Sequence, residues 1–185
     1  MITIRPYKDS DKEQLELICI ETADKNIRDT AKKREMLLLE YNRYYTRACK
    51  DTIFVADCGG KAVGYILCDT NYNNFLKNFK KNEYKQLKKI DFLNAVNFYL
   101  SLKGEKIYSK NYSAHMHIDI LPEFQRQGIG HKLVDALKCK LEGMNVNGVF
   151  LSVSMNNKIG VPFYYKYGFE PVYLCKHFGI FALKL

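Results

Sequence analysis

The segment from Tyr112 to Glu142 constrains the fold most, because its periodicity changes from strand to helix across a turn that contains glycine. Polar and apolar residues alternate from Tyr112 to Leu121, which predicts a strand. From Gln127 onward the apolar residues recur at helical spacing and form one stripe, made of Ile129, Leu133, Leu137 and Leu141. A strand that leads directly into an amphipathic helix is typical of an α/β domain.

The rest of the chain predicts further strands and helices around this unit. The predicted strands are an edge strand at Thr3–Tyr7, a hairpin of Thr52–Asp57 and Ala62–Asp69 joined at Gly59-Gly60, a strand at Val149–Val153, and a closing pair at Phe169–Leu174 and Phe178–Leu183. The first predicted helix begins at a capping box formed by Ser10 and Glu13 and ends at Thr22. Two more helices are predicted at Thr30–Thr46 and Lys158–Tyr167.

Residues 71–110 differ in composition, since Asn, Lys and aromatic residues dominate there and only Glu83–Leu102 predicts a helix. No internal repeat or linker is visible in the sequence. We therefore expect residues 1–185 to form a single domain, with residues 71–110 inserted between the third and fourth strands. A long connection in a compact domain is often functional, so we expect this insertion to roof an acceptor site.

Composition and charge narrow the function classes. The N-terminus does not resemble a signal peptide, and no apolar run approaches the roughly 20 residues that cross a bilayer. Six cysteines without a paired CxxC motif predict reduced thiols rather than disulfides or a metal site. These features predict a cytoplasmic protein with no membrane partner. The net charge of +9 indicates either an anionic partner, such as nucleic acid or a phosphate-bearing cofactor like CoA, or simply a soluble surface.

The turn between the predicted strand and helix has the features of an anion site. Gly128 and Gly130 stand at the mouth of the helix, where main-chain amides can converge on a pyrophosphate. Arg126, His131 and Lys132 can add charge-assisted hydrogen bonds. The third glycine of a Rossmann fingerprint and the Gly-Lys-Ser/Thr of a P-loop are both absent.

Two stretches resemble the signatures of the GNAT acetyltransferase superfamily. Gln125, Gly128 and Gly130, preceded by Ile120 and Pro122, match its motif A pattern Q/R-x-x-G-x-G/A. Seven residues resemble its motif B pattern N-x-x-A-x-x-F-Y-x-K-x-G-F, with glycine in place of the alanine: Asn157, Gly160, Phe163, Tyr164, Lys166, Gly168 and Phe169. Residues 114–130, together with residues 64–66 and 69–70, are also similar to the acetyltransferase-like domain of O-GlcNAcases and to its free-standing bacterial relatives.

The resemblance implies a GNAT fold: a mixed, mostly antiparallel sheet of six to seven strands, helices on both faces, and a splayed strand pair that binds acetyl-CoA. The strands that splay correspond to residues 112–121 and 149–153, and the pantetheine arm lies between them. The acetyl-CoA contacts implied are Ile118, Asp119, Ile120, Gln125, Arg126, Gln127, Gly128, Ile129, Gly130, His131, Lys132, Asn157, Phe163, Tyr164 and Lys166.

The resemblance also implies direct attack of an amine on the thioester, with Tyr164 as the acid that protonates the leaving thiolate. Many relatives carry a glutamate base where this chain has Ala114, so we consider His117 and Asp119 as bases, or a water relay without one. A bulge is common in this strand of the relatives and would change which face meets the substrate. Asp69 and His115 are our candidates for acceptor binding.

We therefore expect an N-acetyltransferase that acts on a primary amine of a small molecule or an amino sugar, as a monomer or homodimer. Two alternatives stay open: a weak or inactive domain that binds or senses acyl-CoA, and a protein N-acetyltransferase. A nucleic-acid-binding protein is a third reading of the charge, but the chain carries no recognised nucleic-acid motif.

Overall fold

The computed structural model describes residues 1–185 and places seven strands in one sheet. The strands are β1 (Ile2–Pro6), β2 (Phe54–Cys58), β3 (Lys61–Asp69), β4 (Ala114–Ile120), β5 (Gly148–Ser154), β6 (Glu170–Leu174) and β7 (Phe178–Lys184). Across the sheet their order is β1-β2-β3-β4-β5-β7-β6, and every neighbouring pair is antiparallel except β4 with β5. The predicted mixed, mostly antiparallel sheet is confirmed.

Eight helices cover the two faces of the sheet. They are α1 (Lys12–Thr22), α2 (Ala31–Tyr41), α3 (Arg43–Ala48), α4 (Tyr72–Lys81), α5 (Glu83–Ile90), α6 (Phe92–Glu105), α7 (Ile129–Glu142) and α8 (Gly160–Tyr167). One hydrophobic cluster joins α1 to α6 with one face of the sheet, and a second joins α7 and α8 with the other. None of these helices combines the length and apolar character that crossing a membrane requires.

The predicted start of the first helix is wrong. Ser10 lies inside a 3-10 turn, Asp9–Asp11, and α1 begins at Lys12. The carboxylate of Asp11 accepts a hydrogen bond from the main-chain amide of Lys8 at 2.8 Å and forms an ion pair with Arg5 at 2.7 Å. This buried aspartate therefore organises the turn that we had assigned to Ser10.

The predicted helix from Thr30 to Thr46 is in fact two helices that meet at Asn42. This residue leaves the helical conformation, with φ at −127°, and its buried amide group donates to the carbonyl of Leu15 in α1 at 3.3 Å. The side-chain contact with α1 therefore marks the point where α2 ends and α3 begins.

The insertion is more helical than its composition predicts. Residues 71–110 form α4, α5 and α6, whereas we expected a helix only at 83–102. Asn71 accepts hydrogen bonds from the amides of Asn73 and Asn74, and Asp91 accepts one from the amide of Asn94. Asparagine and aspartate thus serve as N-caps here, and N-caps favour helix initiation rather than irregular structure.

β4 and β5 separate soon after they meet. They pair only at Ala114 with Val149 and at His115 with Phe150, although β4 continues to Ile120. The pairing of β3 with β4 runs without a register shift, so the bulge expected in this strand is absent. The two strands therefore diverge while β4 itself stays regular, and a gap opens between them.

Candidate active site

A cavity of about 700 Å³ begins at the gap between β4 and β5 and extends beneath α2 and α6. Residues 116–119 of β4 and 151–154 of β5 line its inner part. Three residues that we predicted to be catalytic, His117, Asp119 and Tyr164, also line it. The structure therefore brings residues distant in sequence to one continuous space.

The turn before α7 leaves a row of main-chain amides free. Arg126 and Gly128 have φ angles of 60° and 78°, in the left-handed region. From Arg126 to His131 no main-chain amide has a backbone partner, and the first that does is Lys132, which donates to the carbonyl of Gly128 at 3.3 Å. Free amides at the positive end of a helix form a site for an anion.

The two glycines of this turn have different roles. Gly128 supplies a left-handed conformation, and nothing lies within 4 Å of the position that its Cβ would take. A Cβ on Gly130 would instead lie 2.9 Å from the ring of Phe163 in α8. Gly128 therefore shapes the row of amides, whereas Gly130 lets α7 approach α8 closely.

The side chains around the turn divide into exposed cations and packed residues. Arg126, Gln127, Lys132 and Lys166 are exposed. Gln125 donates to the carbonyl of Ile120 at 2.8 Å, which ties the turn to the end of β4. The side chain of Ile129 is buried against the sheet, and the ring of His131 contacts those of Phe163 and Tyr167. The exposed side chains of Arg126, Lys132 and Lys166 can therefore contact an anion at the edge of the turn.

The edge of β4 that faces the gap carries unpaired main-chain groups. The amide of Leu121 donates to the carbonyl of Val63 at 3.0 Å, so odd-numbered residues of β4 direct their main-chain groups toward β3. The groups of Ile118 and Ile120 consequently face the gap, where β5 no longer pairs with them. The main chain of Asp119, which we had also assigned to the cofactor, faces β3 by the same alternation.

Tyr164 lies in the cavity wall with a hydroxyl that no protein side chain hydrogen-bonds. Its ring packs against Phe169 and Phe181, with centroids 5.6 and 5.9 Å away. Burial raises the pKa of the Tyr164 phenol above its ordinary value, and the carboxylate of Asp119 raises it further. The hydroxyl therefore keeps its proton at neutral pH.

Asp119 and His117 occupy the face of β4 that meets α1 and α2. The carboxylate of Asp119 accepts a hydrogen bond from the hydroxyl of Tyr65 at 2.5 Å. Burial raises the pKa of Asp119, although hydrogen bonds from Tyr65 and Thr22 partly offset the effect. Burial lowers the pKa of His117 to about 4, so its imidazole is neutral near pH 7 and is a weak proton acceptor.

His115 and Asp69 are more enclosed than acceptor-binding residues usually are. His115 lines the cavity but is only 1% exposed, and its Nδ1 lies 2.7 Å from the hydroxyl of Tyr45. Asp69 does not line the cavity. Its carboxylate instead accepts hydrogen bonds from the hydroxyl of Tyr44 and, at 2.7 Å, from the amide of Asn71. These contacts hold the turn from β3 into α4.

Asn157 lines the cavity and also organises the start of α8. Its Oδ1 accepts hydrogen bonds from the amides of Ile159, at 3.2 Å, and Gly160, at 2.7 Å. A Cβ on Gly160 would lie 2.7 Å from the Nδ2 atom of Asn157. The glycine that replaces the usual alanine of this motif therefore makes room for the asparagine amide.

The sequence analysis missed two partly buried glutamates that line the cavity, Glu40 and Glu105. Burial raises the pKa of Glu105, at the end of α6, to about 7, against hydrogen bonds from Tyr72 and Ser152 that favour the ionised form. Burial also raises the pKa of Glu40, in α2, to about 7, although Asn94 donates to it at 2.8 Å.

The sequence carried a signal for Glu105. Residues 71–110 contain only three acidic residues among many lysines: Glu83, Asp91 and Glu105. In the structure Glu83 pairs with Arg47, and Asp91 caps α6. The third, Glu105, has its carboxylate in the cavity. A rare acidic residue in a basic insertion was therefore worth treating as a candidate.

Comparison with known proteins identifies the family of this chain. A model of the Acetyltransferase (GNAT) family matches residues 19–169. An uncharacterised N-acetyltransferase of Archaeoglobus fulgidus is 27% identical over 119 residues, which are 64% of this chain and 60% of that protein.

Two solved structures share the fold over their whole length. The crystal structure of SsHAT has a TM-score of 0.87 at 23% identity and covers 99% of this chain and 98% of its own. The PaiA N-acetyltransferase of Thermoplasma acidophilum, solved with coenzyme A, has a TM-score of 0.63 at 15% identity and covers 100% and 99%. The family model spans β4 and β5, the turn between β4 and α7, and the helices α7 and α8. This chain therefore belongs to the Acetyltransferase (GNAT) family.

Proposed function

We propose that this protein is an N-acetyltransferase that moves the acetyl group of acetyl-CoA to a primary amine of a small molecule. One observation carries the proposal: the cavity that Tyr164 lines lies where β4 and β5 part, and the row of free amides before α7 follows directly after the end of β4. A candidate anion site and a candidate proton donor thus lie beside the same strand.

The residues present fit acetyl-CoA. The free amides from Arg126 to His131 would hold the pyrophosphate, with Arg126 and Lys132 at the rim. The main-chain amide and carbonyl of Ile118 and the amide of Ile120 would hydrogen-bond the pantetheine arm, since Gln125 already donates to the carbonyl of Ile120. When bound, acetyl-CoA supplies an acetyl group activated as a thioester.

Tyr164 donates a proton in this scheme. Its hydroxyl faces the cavity, keeps its proton at neutral pH, and has no competing acceptor among the side chains around it. A neutral phenol in this position protonates the sulfur as it leaves. Asn157, which lies in the same wall, holds the start of α8 and so fixes the position of Tyr164.

Glu105 is our choice for the proton acceptor. β4 carries Ala114 at the position where the GNAT resemblance implies a glutamate, and a carboxylate oxygen of Glu105 lies 4.0 Å from His115, where β4 and β5 part. A carboxyl with a pKa of about 7 is well matched to accept a proton from an ammonium near neutral pH. His117 is too weak a base, because burial lowers its pKa to about 4. Asp119 is held by a hydrogen bond of 2.5 Å from Tyr65, which is shorter than the 3.1 Å bond from Tyr72 to Glu105.

The acceptor end of the cavity favours a small molecule over a protein. The insertion helix α6 closes this end, with Phe98, Ser101 and Leu102 in the lining. A roofed cavity of about 700 Å³ suits a compact amine better than an extended peptide, which needs an open groove.

Two measurements on the purified protein test the proposal. Calorimetry with acetyl-CoA is expected to give saturable binding, and a thiol assay is expected to detect CoA release that depends on an added amine. Absence of acetyl-CoA binding would overturn the proposal. Binding without release of CoA, across a broad panel of amines, would identify an acyl-CoA-binding domain instead.

A further inference from the structure

The charge of the cavity is opposite to the charge of the protein. The chain carries 29 lysines and arginines and a net charge of +9. The 29 residues that line the cavity include no lysine or arginine, but they include three carboxyl groups, those of Glu40, Glu105 and Asp119. Such segregation in a basic protein indicates a cavity built to receive positive charge.

The three carboxyl groups are not equally available to a ligand. Asp119 accepts a hydrogen bond from the hydroxyl of Tyr65 at 2.5 Å. Glu105 lies where β4 and β5 part, beside the proposed site of acetyl transfer. Glu40 lies on α2, and only its Oε1 atom has a protein partner, Asn94 of α6. Glu40 therefore has a second carboxylate oxygen that no protein group binds.

The surroundings of Glu40 and Glu105 also suit an organic cation. Burial raises the pKa of both carboxyls to about 7, because no protein cation compensates them. The cavity is also lined by aromatic rings, those of Tyr41, Phe98, Tyr108, Tyr173 and Phe178. Aromatic faces and buried carboxylates together are a favourable environment for ammonium groups. A ligand with two such groups would satisfy both carboxylates.

We propose that the acceptor is a small organic dication, such as an aliphatic diamine, with one ammonium at Glu105 and the other at Glu40. This inference rests on the proposed function. The ammonium at Glu105 loses one proton to that carboxylate, and its nitrogen then forms the N–C bond as the C–S bond breaks. Tyr164 gives its proton to the leaving sulfur. The nitrogen then loses its second proton to the Tyr164 oxygen, which restores the phenol. The ammonium at Glu40 keeps its charge and serves only to position the acceptor.

The test compares acceptors that differ in one charge. CoA release is measured with 1,4-diaminobutane, with 4-amino-1-butanol and with glucosamine, on the full chain. We expect kcat/KM for the diamine to exceed that for the amino alcohol and the amino sugar at least tenfold. In Glu40→Gln the preference for the diamine over the amino alcohol is expected to fall toward one. Glu142→Gln, an exposed position on α7, is the matched control and keeps the preference.

The outcomes separate this inference from the proposed function. Equal kcat/KM for the diamine and the amino alcohol in the wild type, or a higher value for glucosamine, would overturn the dication while leaving the acetyltransferase in place. An unchanged preference in a folded Glu40→Gln variant would overturn the role of Glu40. Failure of every amine to release CoA would overturn both proposals. The wild-type comparison decides the matter even if the variant does not fold.

Discussion

A carboxylate oxygen of Glu105 lies 4.0 Å from Nε2 of His115, the last residue of β4 that pairs with β5. Burial acts on the two groups in opposite directions: it raises the pKa of Glu105 to about 7 and holds that of His115 well below its ordinary value. Near neutral pH the imidazole is therefore neutral, and the titrating proton belongs to the glutamate. The group that we propose as the proton acceptor therefore lies at the point where the two strands separate.

Replacement of Glu105 is expected to change the pH dependence of the reaction. Below a pH of about 7 the carboxyl is protonated and cannot accept a proton, so wild-type kcat/KM falls as the pH decreases through that value. In Glu105→Gln we expect this limb to disappear and kcat/KM at pH 8 to fall about 100-fold. The measurement is a profile of CoA release from pH 5.5 to 9.

Ionisation of the acceptor amine also changes kcat/KM with pH, and it does so equally in the wild type and in Glu105→Gln. The role of Glu105 is therefore measured by the difference between the two pH profiles. Glu142→Gln should reproduce the wild-type profile, because that side chain is exposed on α7. A Glu105→Gln enzyme with an intact limb near pH 7 would show that another group accepts the proton.

Loss of the Tyr164 hydroxyl should affect the chemical step and spare cofactor binding. Tyr164→Phe keeps the ring contacts with Phe169 and Phe181 but removes the proton donor. We expect kcat to fall about 10²-fold to 10⁴-fold, with the Kd for acetyl-CoA unchanged within about twofold. Tyr165→Phe, at the exposed neighbouring position, is the control. Equal rates for the two variants would exclude Tyr164 as the acid.

The contact between Gly130 and Phe163 should appear as energetic coupling. Gly130→Ala places a Cβ 2.9 Å from the phenylalanine ring, and such overpacking typically costs about 1–3 kcal/mol of stability. In the double variant with Phe163→Leu we expect a smaller loss than the sum of the two single losses. Urea unfolding of the four proteins measures the coupling. Additive losses would mean that α7 and α8 adjust independently.

His117 should make the protein less stable in acid. Burial lowers its pKa to about 4 in the folded chain, whereas the ordinary value is 6.5. As the pH falls below 6.5 the unfolded chain binds this proton first, so the contribution of His117 to stability is complete above pH 6.5 and is lost toward pH 4. His117→Asn should reduce the acid-induced loss between pH 6.5 and 4.5 by about 1–2 kcal/mol.

Glu40 and Glu105 change the free energy of unfolding with pH in the opposite direction to His117. The free energy of unfolding in urea must therefore be compared between the variant and the wild type at each pH. Glu40 and Glu105 have raised pKa values, and between about pH 4.5 and 7 the folded chain holds protons there that the unfolded chain has released. His177→Asn, at an exposed position, is the control. A pH dependence identical in His117→Asn and the wild type would contradict the burial of a neutral imidazole.

The parts of the molecule that sequence reasoning predicted well are those that local backbone chemistry determines. The change from strand to helix around Gly128 follows from periodicity and from glycine at a left-handed position, and the family resemblance rests on the same residues. The position of β1 at the edge of the sheet follows from Pro6, because proline has no main-chain N–H to donate to a neighbouring strand.

The parts that were missed depend on tertiary contacts. Asn71 and Asp91 initiate helices in the insertion, but the same residue types also favour turns, so their composition alone was ambiguous. Glu105 has a functional environment only because α6 brings it against Ser152 and His115, which are distant in sequence. Asp69 looked available at a strand end, but Tyr44 from α3 reaches its carboxylate.

The insertion at residues 71–110, whose helix α6 lines the cavity, is packed into the body of the protein. Phe75 and Phe79 of α4 and Leu87 of α5 are fully buried in the same hydrophobic cluster as Leu15 and Leu37 of the first two helices. Moving α4 and α5 aside as a hinged flap would expose that cluster to water. We therefore expect a ligand to reach the cavity without displacement of these helices, and substitutions of the α6 residues that line it to change which ligands bind.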